Sequence, residues 1–164
     1  MYCEAAGKLV KALKERGLTV TAAESCTGGK ICDAIVSVPG ASEVFKEGFV
    51  TYSDRAKINT IGVPKEVIEK SGAISLETAE YMARGAALKA GAEVAVSVTG
   101  NAGPTADEGK PVGLVYIGAY FKGETAAREF RFEGDREDIR ERAKLCALEL
   151  LPEWISEKVV EQEQ

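Results

Sequence analysis

The sequence predicts an α/β protein: a three-layer α/β/α sandwich around a mixed, mostly parallel sheet. Two observations carry this. Short β-branched runs alternate with helical segments in the order βα, βα, αα, βββ, α, which covers a sheet with helices on both faces. The 164 residues, 45% of them hydrophobic, fit one domain, residues 1–164, with one core and no need of a disulfide or metal staple.

Residues Glu4 to Arg16 place Leu9, Val10 and Leu13 on one side among lysines, a helix that Gly17 ends. Leu18–Ala23 (LTVTAA) is a strand running into Glu24-Ser25-Cys26-Thr27-Gly28-Gly29. A helix follows over Lys30–Val38 and stops at Pro39-Gly40. Val44–Tyr52 is the next strand candidate. Ser53 and Asp54 then cap a helix through Ile61. Pro64 opens a short helix, and Ser75 caps a longer one to Ala90. Glu93–Thr99 (EVAVSVT) is a buried strand, and residues 100–113 form a long loop rich in Gly and Pro. Leu114–Lys122 and Glu124–Glu133 flank Gly123 as a hairpin. Asp135 caps a helix to Leu151 that Pro152 is expected to break.

Composition narrows the chemistry. Net charge is −5 without a basic block, which argues against a nucleic-acid partner. No apolar run reaches the roughly 18 residues of a membrane span. Four cysteines without a C-x-x-C pair read as reduced thiols of a cytoplasmic protein, with Cys32 and Cys146 as small buried residues. There is no histidine, so Ser-His-Asp and Cys-His catalysis within the chain are excluded. Acid–base work falls to Lys, Tyr, Asp, Glu or a terminal amine. No metal site and no cofactor is expected.

Three segments carry the candidate chemistry. In the turn Ser25–Gly29 between strand and helix, outward N–H groups can bind a phosphate or an oxyanion. Gly28 and Gly29 would admit a ligand close to that backbone. The plain alternative is a tight turn with Ser25 or Thr27 as helix cap. Lys57 sits near the start of its helix, where the macrodipole disfavours a cation. To act as a base near pH 7.5 its pKa must fall from about 10.4, roughly 4 kcal/mol of bias. The dipole supplies ~0.3–1 kcal/mol, so burial must do most of it. Tyr52 could hold or relay a proton; the alternative is a solvated Lys57 and a core Tyr52. The third segment, Ser97–Pro104, is a strand running into the Gly-rich loop. Two such loops at strand ends suggest a cleft at the sheet edge.

Taken together these stretches resemble the CinA C-terminal domain family, the nicotinamide-nucleotide amidases, in its stand-alone form. The matching residues are Thr21–Gly29 (TAAESCTGG), Gly48–Ser53 (GFVTYS) with Ala56-Lys57, Gly72–Ser75 (GAIS), Ser97–Pro104 (SVTGNAGP), Lys110–Gly113 (KPVG) and Gly134–Arg136 (GDR). The resemblance implies hydrolysis of the carboxamide of nicotinamide mononucleotide to nicotinate mononucleotide and ammonia, a step of pyridine nucleotide salvage. It implies Ser25 as nucleophile, Lys57 as base and Tyr52 beside them. The amides of Cys26, Thr27 and Gly28 are the expected oxyanion hole. Gly29, Thr99, Gly100, Asn101 and Arg140 complete the expected substrate-binding set. The sequence departs from the family at Asn101, where an aliphatic residue is expected, and in a short acidic loop at 105–109. A non-catalytic nucleotide-binding or regulatory module of the same fold is the alternative. The expected partner is the small-molecule nucleotide, with homodimer or higher homo-oligomer left open.

Overall fold

The computed structural model describes residues 1–164. One five-stranded sheet is built from β1 (Val20–Glu24), β2 (Phe49–Val50), β3 (Val94–Gly100), β4 (Leu114–Phe121) and β5 (Glu124–Arg131), in the order β2-β1-β3-β4-β5. β1 pairs in parallel with β2 and β3, while β3–β4 and β4–β5 are antiparallel. Four strands thus point one way and β4 the other, which is the mixed sheet the sequence predicts. Every residue of β1 is buried, and β3 is buried up to its last residue. Burial on both faces fits their mostly small and β-branched residues.

Helices cover both faces. On one lie α1 (Glu4–Arg16), α2 (Lys30–Val36) and α6 (Arg136–Glu163). On the other lie α3 (Asp54–Ile61), α4 (Lys65–Ser71) and α5 (Leu76–Ala90). α1 buries Ala6, Leu9, Val10 and Leu13 and ends at Gly17 in the left-handed conformation, φ 62°. α3 and α5 are capped by Ser53 and Ser75, whose hydroxyls accept the N–H groups of Ala56 and Thr78. Asp135 and Asp138 form a capping box at the start of α6.

Three expectations need correction. The strand foreseen over Val44–Tyr52 shrinks to Phe49–Val50, plus one bridge from Phe45 to Val20. Only Phe49 and Val50 register against β1, opposite Ala23 and Glu24. Pro152 does not end α6; the helix runs on through it to Glu163. Burial of Leu151, Trp154 and Ile155 contributes about 1.5–3 kcal/mol per side chain, against about 3 kcal/mol for an interior proline. Trp154 also meets Phe121 edge-on, ring centroids 6.2 Å apart. Cys32 and Cys146 are half-buried at the rim of the core, and Cys26 is the buried thiol.

α5 packs closely because it is small on its inner side, with Ala79, Ala83, Gly85, Ala86 and Ala87. A Cβ at Gly85 would fall on the carbonyl oxygen of Ile61 at the end of α3. Gly85→Ala gains about 1 kcal/mol of helix propensity. Overpacking against a backbone atom costs more, about 1–3 kcal/mol or above. Urea denaturation of Gly85→Ala should therefore show a net loss of stability.

Candidate functional site

Ser25 follows the last residue of β1, and its N–H donates to Val98 O at 3.0 Å, extending the β1–β3 pairing by one residue. Thr51 N–H donates to Glu24 O at 2.8 Å, which brings the chain entering α3 alongside the same strand end. Lys57, one turn into α3, then projects inward. It is 1% exposed. Its Nζ lies 3.0 Å from Ser25 Oγ and donates to Thr51 O at 2.6 Å. Burial pulls its pKa below the usual lysine value, and the Asp54 and Glu108 carboxylates oppose the fall. The direction, with burial as the main cause, is the one a lysine base requires.

Ser25, Cys26, Tyr52, Lys57, Thr99, Gly100 and Asn101 line one cleft of about 140 Å³, small beside the roughly 300–1,000 Å³ of small-molecule sites. The cleft lies at the ends of β1 and β3, as two Gly-rich turns at strand ends suggest. Not all these residues offer free groups. Thr99 Oγ1 donates to Ala73 O at 2.7 Å. The Asn101 amide donates to Thr105 O and Lys110 O and accepts from Gly103 N–H, so it organises its own loop. Tyr52 is exposed on the wall, its hydroxyl accepting from Arg136 Nη2 at 3.1 Å.

The turn itself differs from expectation. The start of α2 holds no vacancy for an anion. The buried Glu24 carboxylate accepts Ile31 N–H at 2.9 Å and Cys32 N–H at 3.0 Å. Thr27, Gly28 and Gly29 stay outside the cleft. Gly28 and Gly29 are left-handed, at φ 59° and 105°, and a Cβ on Gly28 would sit 3.2 Å from Arg140 Nη2. The glycines shape the turn and leave room for Arg140. Arg140 touches no cleft surface; it donates to Cys26 O at 2.9 Å and Thr27 O at 3.1 Å and so braces the turn from behind. Of the amides expected to face an oxyanion, Gly28 N–H donates to Ser25 O, while Cys26 and Thr27 N–H have no protein acceptor. Burial pushes the Cys26 thiol up to about 11, so at neutral pH it is no thiolate nucleophile.

Sequence reasoning missed Asp54, Ala73, Ile74, Ala102, Asp107, Glu108 and Arg136 in the lining. Arg136 had a signal, since it closes the Gly134–Arg136 stretch. Its guanidinium bonds a carbonyl, Gly103 O, and the Tyr52 phenol. No cluster of three or more His, Cys, Asp or Glu side chains is placed to hold a metal ion. No helix is long and apolar enough to cross a membrane.

The family model described as "CinA C-terminal domain" matches residues 3–155. A CinA-like protein of Kosmotoga olearia is 49% identical over 144 residues, covering 87% of this chain and 35% of that protein. A relative from Caldicellulosiruptor saccharolyticus, named for competence-damage induction, is 51% identical over 148 residues, covering 90% of this chain and 36% of its own length. The chain thus spans about a third of the curated relatives it matches. Among solved structures, a CinA superfamily protein from Klebsiella pneumoniae superposes with TM-score 0.92 at 34% identity, covering 94% of this chain and 97% of that one. CihA from Agrobacterium tumefaciens gives 0.85 at 38% identity, covering 92% and 96%.

The state of Lys57 can be read from stability alone. In the unfolded chain Lys57 keeps its proton up to about pH 10.4; in the fold, burial lowers that pKa. Between the two values the unfolded state binds more protons, so stability rises with pH. Lys57→Met lacks this titration. Wild-type stability relative to Lys57→Met should climb as pH is raised toward about 10.4 and level off above it. A pH-independent difference in urea titrations would mean an ordinary lysine.

Proposed function

The chain belongs to the CinA C-terminal domain family, and from that premise we propose that it is an amidohydrolase that deamidates nicotinamide mononucleotide through Ser25 and Lys57. The observation that carries the reading is the buried Lys57 Nζ at 3.0 Å from Ser25 Oγ, inside a cleft. A neutral Lys57 takes the Ser25 proton as Oγ attacks the carboxamide carbon. Cys26 N–H, without a protein acceptor and on the cleft lining, is the donor free to meet the developing oxyanion. The tetrahedral intermediate collapses with loss of ammonia, for which Lys57 returns the proton. Water, deprotonated by Lys57, then cleaves the acyl-enzyme to nicotinate mononucleotide and free Ser25.

The lining suits this substrate. The pyridinium ring of the mononucleotide is cationic, and Asp54 and Asp107 place carboxylates in the wall. Arg136 supplies positive charge for a phosphate. Tyr52 is assigned to the wall as a neighbour of Arg136, acting on substrate and not on the Ser25–Lys57 pair.

Ammonia release from nicotinamide mononucleotide is the direct test. Ser25→Ala should abolish it, and Lys57→Arg should too, since a guanidinium cannot lose its proton near neutrality. Cys26→Ala should keep most activity. Activity should rise with pH along a limb set by the lowered Lys57 pKa. Binding of the mononucleotide without ammonia release would favour a non-catalytic nucleotide module.

The phosphate should matter as well. Charge-assisted hydrogen bonds contribute roughly 1.5–3 kcal/mol each, so two should favour the mononucleotide over its riboside by about two orders of magnitude in kcat/KM. Equal values would leave the phosphate without a receptor.

A further inference from the structure

The Gly-rich loop carries a residue in an unusual place. Asp107 and Lys110 form an antiparallel bridge, with N–H to O distances of 3.3 and 2.7 Å in the two directions. The two residues between them, Glu108 and Gly109, are both left-handed, at φ 52° and 69°. Such a two-residue turn prefers Asn, Asp or Gly at its first position, because a longer side chain is strained there. Glu108 occupies it nonetheless, and its side chain has a use. Oε1 accepts Ala73 N–H and Oε2 accepts Ile74 N–H, both at 3.1 Å.

These consecutive amides form a small anion-binding nest in the wall of the candidate cleft. Gly72 makes room for it: a Cβ there would lie 2.7 Å from Glu108 Oε2. The nest is held from behind, since Gly72 O accepts the hydroxyls of Ser75 and Thr78, and Ala73 O accepts that of Thr99.

We propose that the Ala73–Ile74 amide pair is the anion subsite of this cleft, and that Glu108 fills it as a tethered anion until the phosphate monoester of a ligand takes its place. The proposal rests on the reading of the cleft as a nucleotide site and adds the receptor for the phosphate. Arg136 supplies charge in the same lining, and the amide pair supplies direction. The loop end that leaves the nest is the strained one, so ligand entry and relaxation of the turn are coupled. A phosphate must compete with Glu108, which lowers its apparent affinity by the fraction of time the nest is filled.

The test is binding of inorganic phosphate, nicotinamide mononucleotide and nicotinamide riboside to the full chain, by calorimetry, in wild type and Glu108→Ala. With the nest filled nine-tenths of the time in wild type, Glu108→Ala should bind phosphate and the mononucleotide about tenfold more tightly, a gain the riboside does not share. In wild-type chain labelled with nitrogen-15, the Ala73 and Ile74 amide resonances should move on titration with phosphate. Unchanged or weaker phosphate binding in Glu108→Ala would overturn the proposal, as would equal gains for all three ligands. Still Ala73 and Ile74 resonances at saturating phosphate would overturn it without reliance on the variant. None of these readouts needs turnover, so an inactive chain that binds phosphate at the nest sinks the amidase reading and not this one.

Discussion

Everything at the strand ends is arranged around one costly group: an amine without a carboxylate partner, sealed from water beneath Ser25. Lys57 Nζ has only the Ser25 hydroxyl and the Thr51 carbonyl. An ammonium there loses hydration that two neutral oxygens do not replace, so the neutral amine is favoured. A charged partner would stabilise the fold and remove the basicity. The structure leaves that partner out and lets its carboxylates, Asp54 and Glu108, act at a distance.

Glu24 makes this possible by linking three segments. Its main-chain carbonyl accepts Thr51 N–H, which positions the approach to α3. Its carboxylate accepts the first free amides of α2, which closes the turn over Cys26–Gly29. Ser25 and Lys57 therefore hang from the two sides of one residue. Arg140 completes the frame by holding the outward carbonyls of Cys26 and Thr27. With those carbonyls turned toward Arg140, the amides of Cys26 and Thr27 are left without protein acceptors.

The parts of this site legible in the sequence were those set by local chemistry or carried by the family's motifs. Without histidine, acid–base work fell to Lys, Tyr, Asp, Glu or a terminal amine, and it was the family resemblance that singled out Ser25 and Lys57 among them. The element pattern was legible locally: Ser53, Ser75 and Asp135 cap by bonds three residues long. What stayed hidden was non-local. Glu24 looks like any polar residue of a turn until α2 closes on it, and Glu108 reaches the Ala73 and Ile74 amides from 35 and 34 positions away. Arg140 was singled out for the cleft and serves the back of the turn, a distinction only the third dimension makes. Pro152 misled because a local penalty was weighed without the packing of Trp154 on Phe121.

The bond from Arg140 to Cys26 O spans 114 residues, and that separation has a consequence for the chain as it is made. β1 and the start of α3 leave the ribosome long before α6 exists. Until α6 docks, the turn bearing Ser25 lacks its rear support and the cleft lacks the wall that Arg136 supplies. The cleft is therefore complete only once α6 closes onto the first third of the chain. A truncated product keeps the serine and the lysine but not the frame that aims them.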